Sequence, residues 1–283
     1  MLHLENKQTK KKLLNKLREN YSKHEFLKSD PIEIVYKYKD PYDQECIALI
    51  TSLFSYGNVT SIRSFLNKLF LRLGNKPFET LSNQNHFDQL LEGIGSYRFQ
   101  KEKDISEFFF GISELIRDKN LSDTKFPIFE SYFLENGILG FQSKLRSKLR
   151  FHSYGLDFLI GKALAKSAHK RYSMFLRWMV LPTFPDFHYY KLLSENDLVL
   201  PLDTHIIRMA QILNLSDRKS PDKKLAIEIT HSLTEILDEP SVRFDFALSR
   251  IGIMEKCRGK FDEKICPQCH LRTVCSFYLS QGS

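Results

Sequence analysis

Four of the five cysteines lie close together near the end of the chain, at Cys257, Cys266, Cys269 and Cys275. Their spacing, C-x8-C-x2-C-x5-C, could gather four thiolates from one short loop around a metal centre. Zinc ribbons usually supply two C-x2-C pairs, and only one such pair is present here. The uneven spacing therefore favours a [4Fe-4S] cluster, with zinc or four free thiols as the alternatives. The fifth, Cys46, lies in an apolar stretch and is expected to be a small buried hydrophobe.

A carboxylate is the second candidate for chemistry. Asp203 lies in the segment LPLDTHIIR, residues 200–208, and precedes apolar positions that predict the inward face of a helix. A carboxylate at a helix N-terminus is stabilised as an anion by the unpaired amides and the helix dipole. Asp203 could therefore offset positive charge on a substrate, or it could only cap the helix.

The cysteine loop resembles the C-x6-C-x2-C-x5-C loop that closes the chain in the endonuclease III branch of the helix-hairpin-helix DNA glycosylases. Two residues are inserted in the first gap here. The resemblance implies that the four clustered cysteines bind a [4Fe-4S] cluster of mainly structural role. It also implies a DNA-contacting basic loop beside the cluster, which would contain Arg258, Lys260 and Lys264.

The same resemblance extends to two catalytic residues. Residues 200–208 are similar to the family's V-D-T-H-x-x-R segment, whose Asp faces the target sugar, which implies a catalytic role for Asp203. Bifunctional members also use a lysine at the start of the helix after the hairpin, and its neutral amine attacks the anomeric carbon. Lys170 is the best match, and the adjacent Arg171 is a predicted DNA contact. The alternative is that Lys170 is an ordinary basic residue that contacts phosphate or solvent.

The hairpin itself departs from the family pattern. The usual L-P-G-V-G is replaced by GKALAK at residues 161–166, without the glycines that let backbone amides approach a phosphate. Lys166, in this segment, is a predicted DNA contact. The long separation of Lys170 from Asp203 and the atypical hairpin are similar to the archaeal 8-oxoguanine glycosylases, so the chain resembles a divergent branch.

A further candidate lies upstream, in the segment FSYGNV at residues 54–59. The family has at this place a turn whose residue fills the gap left by an extruded base. Asn58 is the candidate for that role. The alternative is an ordinary turn between two core helices.

Length and composition set the class of protein. The chain has 283 residues, enough for two domains, and 42% hydrophobic with 27% charged residues is typical of a soluble globular protein rather than a disordered one or a fibre. A charge of +8 makes a nucleic-acid partner plausible. The run Lys144, Arg146, Lys148 and Arg150 is either part of that interface or a solvated helix face. No membrane span and no signal peptide are expected, which indicates a cytoplasmic protein.

The periodicity of apolar residues predicts helices almost throughout. The sequence has only 12 Gly and 10 Pro, and apolar positions 59, 62, 66, 69 and 73 follow helical spacing up to Gly74. Alternation at residues 32–38 predicts one strand, and loops are expected at 74–104, 118–128 and 181–200.

These elements predict an all-α fold of two domains, similar to the helix-hairpin-helix glycosylases. One domain would be central, residues 44–185. The other would combine residues 1–43 and 186–283, with the cluster loop at 257–275.

The resemblance implies a DNA glycosylase, with AP-lyase activity, that extrudes a damaged base from duplex DNA. Its partner would be duplex DNA with a damaged base or an abasic site, and no protein partner is implied. The alternative is a non-catalytic DNA-binding protein that keeps the scaffold and the cluster. A zinc protein unrelated to repair is a third reading.

Overall fold

The structure is a computed structural model that describes residues 2–118, 126–162, 167–254 and 257–281. Within these ranges the chain forms α-helices and short 3₁₀ helices and no β-strand, so the all-α prediction is confirmed. The α-helices are α1 (Leu2–Tyr21), α2 (Ile32–Val35), α3 (Pro41–Phe54), α4 (Val59–Leu73), α5 (Pro77–Asn83), α6 (Phe87–Leu90), α7 (Glu102–Arg117), α8 (Glu130–Leu134), α9 (Gly137–Ser147), α10 (Tyr154–Ile160), α11 (Lys170–Val180), α12 (Thr204–Leu213), α13 (Lys223–Leu237), α14 (Asp245–Met254) and α15 (Ser276–Leu279). The 3₁₀ helices cover His24–Ser29, Glu195–Asp197, Ser241–Phe244, Cys266–Gln268 and Arg272–Val274. No helix in the described ranges is both long and apolar enough to cross a lipid bilayer.

The chain divides into two compact units, each built from segments that are distant in sequence. The terminal unit consists of Met1–Leu27, Lys166–His188 and Ser194–Ser283, and the central unit of Lys28–Ala165 and Tyr189–Leu193. The predicted boundaries, at 44 and 185, differ from these. Residues 28–43 belong to the central unit because α2 packs on α3, and α11 belongs to the terminal unit because a buried ion pair holds it there.

Helix α4 forms where the apolar periodicity predicts it. Asn58 caps its first turn by accepting the N–H groups of Thr60 and Ser61, at 2.8 and 3.4 Å. Gly74 ends the helix with a positive φ of 75°, which glycine adopts without strain. The predicted inward positions that are buried are Ile62, Leu66, Leu69 and Leu73, whereas Val59 is 43% exposed.

The strand predicted at residues 32–38 is wrong. Residues 32–35 form α2, because Pro31 has a helical φ and the Asp30 carboxylate accepts the N–H of Ile32 at 3.0 Å. The three apolar side chains of this short helix are all buried. The same sequence of apolar and polar residues is therefore compatible with a helical turn as well as with a strand. The loop predicted at 74–104 likewise contains α5 and α6.

A buried carboxylate organises the central unit. Glu45 on α3 is fully buried and accepts hydrogen bonds from the N–H groups of residues 128–129, at 2.7 and 2.8 Å, and from the Tyr190 hydroxyl at 2.8 Å. Glu130, at the start of α8, accepts the N–H of Leu192 at 2.6 Å. Two carboxylates thus hold the short second segment of the central unit in place.

A buried arginine organises the terminal unit. Arg177 on α11 is 2% exposed and lies between two carboxylates: it is 3.2 Å from Asp186 and donates to Asp245, the first residue of α14. A buried charge is costly unless it is paired, so these contacts fix α11 against α14 and against the segment that follows α11. Lys170 is the first residue of the helix that is fixed in this way.

The predicted basic run at residues 144–150 lies on α9 and just after it, and its charges are largely paired. Each of its four basic side chains forms an ion pair with a carboxylate. The pairs are Lys144 and Lys148 with Asp118, Arg146 with Asp157, and Arg150 with Glu107. This run therefore offers less free positive charge to a nucleic acid than its sequence indicates.

Replacing the buried arginine should loosen α11. We expect Arg177→Met to lower the free energy of unfolding by about 3–5 kcal/mol, because two carboxylates stay buried without their cation. Trp178, the single tryptophan, is fully buried on the same helix and reports the transition by its fluorescence in urea. The matched control is Arg218→Met, which removes a surface pair with Asp222 and should cost only about 0.3–0.5 kcal/mol. Equal losses in the two variants would contradict the role of Arg177.

Candidate functional site

The Asp203 carboxylate stands at the start of α12. Its Oδ1 accepts the backbone N–H groups of His205 and Ile206, at 2.8 and 2.9 Å, as expected for an N-cap. Both of these bonds go to the same oxygen. The other oxygen, Oδ2, is therefore left to interact with a side chain or a substrate.

The Lys170 amine meets that second oxygen. Lys170 is the first residue of α11, and its Nζ lies 4.0 Å from Asp203 Oδ2. The Lys170 and Asp203 side chains are 36% and 24% exposed, so the pair can be reached from solvent. Two helix N-terminal regions of the terminal unit thus bring an amine and a carboxylate together, although the two residues are distant in sequence.

The backbone just before Lys170 is strained. His169 has a left-handed φ of 49°, which is unfavourable for a residue other than glycine and is enriched at functional sites. Burial lowers the pKa of the His169 imidazole, and the nearby Lys223 acts in the same direction. Arg171 is half-buried next to Lys170. Lys170 thus follows a strained residue whose imidazole favours its neutral form.

Helix α12 also contacts the cysteine loop. Arg208, in the last position of the LPLDTHIIR segment, donates from its guanidinium to the backbone carbonyl of Cys257. Its side chain also lies beside Gly259, where an added Cβ would be 3.2 Å from Arg208 Cγ. The helix that carries Asp203 at its start is therefore tied to the first residue of the cysteine motif.

The four clustered cysteines line one small cavity of the terminal unit. Apolar side chains from α12, α14, α15 and the loop form much of the remaining wall, and Lys260 and Arg272 also line it; the apolar residues include Ile212, Ile251, Phe277 and Leu271. Cys46 is elsewhere, fully buried on α3 as expected. Among the residues that the structure describes, no group of three or more His, Cys, Asp or Glu side chains could hold a metal ion directly. The thiols thus share a cavity wall but do not form a ready-made ion site.

The backbone of the loop is arranged around the sulfur atoms. The N–H groups of Gly259, Asp262 and Leu271 point to Sγ of Cys257, Cys266 and Cys269, at 3.5, 3.3 and 3.4 Å. Such donors stabilise thiolates, and hydrogen bonds of this kind tune the sulfurs of iron–sulfur clusters. Three of the four sulfurs thus have a backbone donor, as the sulfurs of thiolate-bound iron–sulfur clusters commonly do.

The fourth thiol is affected by its neighbours. Burial raises the pKa of Cys275, the N–H groups of Tyr278 and Phe277 lower it, and the nearby Cys257 and Cys266 raise it further. The mutual effect of these thiols reflects their closeness in the loop.

The predicted DNA contacts belong to both units. Arg258, Lys260 and Lys264 are exposed on the cysteine loop, and Lys260 also lines the cavity. Asn58 is exposed in the central unit, but its side-chain oxygen is engaged in capping α4. Lys166 and most of the predicted hairpin, residues 163–166, lie outside the described residues.

An exposed turn of the central unit, residues 97–100, coincides with none of the candidate sites that the sequence predicts. Tyr97 and Gln100 exchange backbone hydrogen bonds at 2.9 Å, which leaves Arg98 and Phe99 at the tip. Phe99 is 42% exposed and contacts the 66% exposed ring of Tyr154, with ring centroids 6.0 Å apart. The Arg98 guanidinium lies 5.8 Å from the Phe99 ring centroid. We call residues 98 and 99 the Arg–Phe tip.

The Arg–Phe tip is rigidly supported. Gln100 donates to the carbonyl of Gly155 at 2.8 Å, and the Tyr97 hydroxyl hydrogen-bonds the carbonyls of residues 54 and 56. Arg98 itself has a left-handed φ of 53°, a strained conformation that needs this support. The sequence offered one signal for this turn: two aromatic residues on either side of an arginine, at residues 97–99, after two glycines. The same pattern is also compatible with an ordinary loop.

One protein family matches the chain. A family model described as "Protein of unknown function (DUF2400)" covers residues 30–254. The matched region includes both Lys170 and Asp203 and ends before Cys257. No curated protein and no solved structure matches.

Proposed function

We propose a function for this chain, which belongs to the DUF2400 family of proteins of unknown function: it is a DNA glycosylase with AP-lyase activity. The substrate class is duplex DNA with a damaged base, which the enzyme extrudes before excision. The resemblance of the cysteine loop and of residues 200–208 to the endonuclease III branch supports this proposal, and so does the charge of +8.

One observation carries the proposal. The Lys170 amine and the free oxygen of the Asp203 carboxylate lie 4.0 Å apart at two helix N-termini. An amine nucleophile beside a carboxylate is the pair that a glycosylase with lyase activity requires, since the amine must lose a proton and the sugar must bear positive charge. Asp203 can accept that proton on Oδ2 while two backbone amides hold Oδ1 in place.

The chemistry follows from these positions. The neutral amine of Lys170 forms a bond to the anomeric carbon as the bond from that carbon to the base breaks. The base leaves with the electron pair and takes up a proton. The proton of the new secondary ammonium then passes to the ring oxygen, which leaves the anomeric carbon with its electron pair and gives a protonated Schiff base with Lys170. Loss of a proton from the neighbouring carbon expels the 3′ phosphate, and water releases the enzyme. Asp203 passes the proton that it took from the amine to the departing base, so it is an anion again and stabilises the cationic transition state.

Borohydride trapping on duplexes with single lesions tests this mechanism. We expect wild-type protein to form a covalent adduct and Lys170→Gln to form none, because glutamine has no nucleophilic amine. Asp203→Asn should slow single-turnover base release by about 10²–10³-fold, the usual cost of losing one group that stabilises transition-state charge. Asparagine caps a helix as well as aspartate does, so the fold should be unaffected.

The matched control is Lys224→Gln, which removes an exposed lysine from α13 and should leave trapping unchanged. An adduct that persists in Lys170→Gln would remove this lysine from the role. Salt-dependent DNA binding without turnover on oxidised, alkylated, deaminated and abasic duplexes would instead identify a non-catalytic DNA-binding protein.

We further propose that Cys257, Cys266, Cys269 and Cys275 hold a [4Fe-4S] cluster. The cavity that they share and the three N–H groups directed at their sulfurs support this assignment. Bound there, the cluster would cross-link four positions of the loop. Its role would therefore be to stabilise the fold of the loop and not to take part in the reaction at the sugar.

Metal analysis after anaerobic purification tests the cluster. We expect a brown protein with about four iron and four sulfide per chain. Cys266→Ser should lose most of both, because it removes one of four ligands, whereas Cys46→Ser should keep them, since Cys46 is buried on α3 in the central unit and the loop belongs to the terminal unit. A colourless protein with one zinc would refute the cluster.

We also propose that the Arg–Phe tip contacts DNA. An exposed aromatic ring beside a guanidinium offers stacking to an unpaired base and charge to a phosphate. The rigid support of residues 97–100 means that little conformational freedom is lost on binding. This proposal moves the predicted base-contacting role from Asn58, whose side chain caps α4, to Phe99.

Affinity measurements test the tip. We expect Phe99→Ala to weaken binding of an abasic-site duplex by about 5–150-fold, corresponding to one lost stacking contact of ~1–3 kcal/mol. Leu71→Ala, which changes an 82% exposed side chain of the same unit, is the control and should bind as wild type does. Fluorescence anisotropy at fixed salt gives both values, and equal affinity of the two variants would rule out stacking by Phe99.

A further inference from the structure

We infer that His205 is a positioning residue, which holds Asp203 towards Lys170 by seating its imidazole ring on the bare backbone of Gly252. This inference rests on the proposed function of the Lys170–Asp203 pair. It adds a residue whose side chain is neither the nucleophile nor the carboxylate.

The His205 ring of α12 fits against Gly252 of α14. A Cβ added at Gly252 would lie 2.3 Å from His205 Nδ1, 3.1 Å from its Cγ and 3.3 Å from its Cβ. The ring thus occupies the space that any other residue at position 252 would fill. Glycine inside a helix carries a cost in conformational entropy, and no left-handed φ requires it at this position. The imidazole is therefore the structural reason for this glycine.

His205 also binds the Asp203 carboxylate through its backbone. The backbone N–H of His205 donates to Asp203 Oδ1 at 2.8 Å. The residue whose side chain is seated on α14 is thus also a residue that holds the carboxylate. A displacement of His205 would move the donor, and Oδ2 would leave its place 4.0 Å from the Lys170 amine.

The surroundings of the His205 ring favour its neutral form. His205 Nδ1 is buried and has no hydrogen-bond partner among the described residues. Burial lowers the pKa of His205. The Asp203 carboxylate opposes this effect, whereas Arg208, Lys170 and Arg250 reinforce it. A neutral ring can lie against the backbone of α14 without adding a fourth cation to these three.

The experiment compares Gly252→Ala, His205→Ala and the double variant. Its first readout is the NMR signal of the Lys170 side chain in protein with ¹³C-labelled lysine, assigned by its absence in Lys170→Gln. We expect Gly252→Ala to shift this signal, because Asp203 moves away. His205→Ala should also shift it, because the space on α14 is then empty, and the double variant should return it towards the wild-type position, since the added methyl group then fills part of the space that the ring leaves. The second readout is the single-turnover rate of adduct trapping on an abasic-site duplex.

The expected trapping rates follow the same order. Gly252→Ala should reduce the rate at least about 10-fold with unchanged affinity for the duplex, and the double variant should recover most of it. Met254→Ala, on the same helix with a 50% exposed side chain, is the control and should match wild type. Recovery distinguishes positioning from direct catalysis, because the double variant has no imidazole.

The outcomes separate this inference from the proposed function. An unshifted Lys170 signal in Gly252→Ala, or a double variant no better than Gly252→Ala, would overturn it. Should Gly252→Ala fail to fold, His205→Ala alone must still shift the Lys170 signal. If no protein forms an adduct but the signals shift and recover as expected, the glycosylase proposal fails and the positioning role stands.

Discussion

A guanidinium enclosed between two carboxylates is the interaction on which the terminal unit depends. Arg177 cannot leave its place without stranding the charges of Asp186 and Asp245, so α11 has a single favourable position relative to α14. Helix α12 packs on α14 as well. The helices that bear Lys170 and Asp203 therefore share one support, and the short distance between amine and carboxylate follows from it.

The two helix starts at which Lys170 and Asp203 lie are recognisable in the sequence because helix starts are local features. Asp203 precedes an apolar helical pattern, and its carboxylate caps the first turn, as such a residue usually does. Lys170 likewise precedes an amphipathic segment. The distance between the two depends on how α11 and α12 pack, and no local pattern encodes that packing.

Some features could not be predicted from the sequence, because the same local pattern is compatible with two different structures. Alternation at residues 32–38 suits a strand, but Pro31 and Asp30 start a helical turn there. The sequence of the basic run of α9 is compatible with a nucleic-acid-binding face. In the structure the run forms ion pairs with carboxylates from other parts of the central unit. The Arg–Phe tip depends on hydrogen bonds that Tyr97 and Gln100 donate to carbonyls far away in the chain. In each case a partner distant in sequence decides the outcome.

The hold of Glu45 and Glu130 on residues 189–193 has a consequence for the modularity of the protein. Because this short stretch returns to the central unit, the polypeptide passes from one unit to the other four times rather than twice. Neither unit is encoded by one continuous segment of the sequence, so no single insertion could add it and no single deletion could remove it. Evolutionary exchange of one unit between relatives would have to replace several stretches of sequence together.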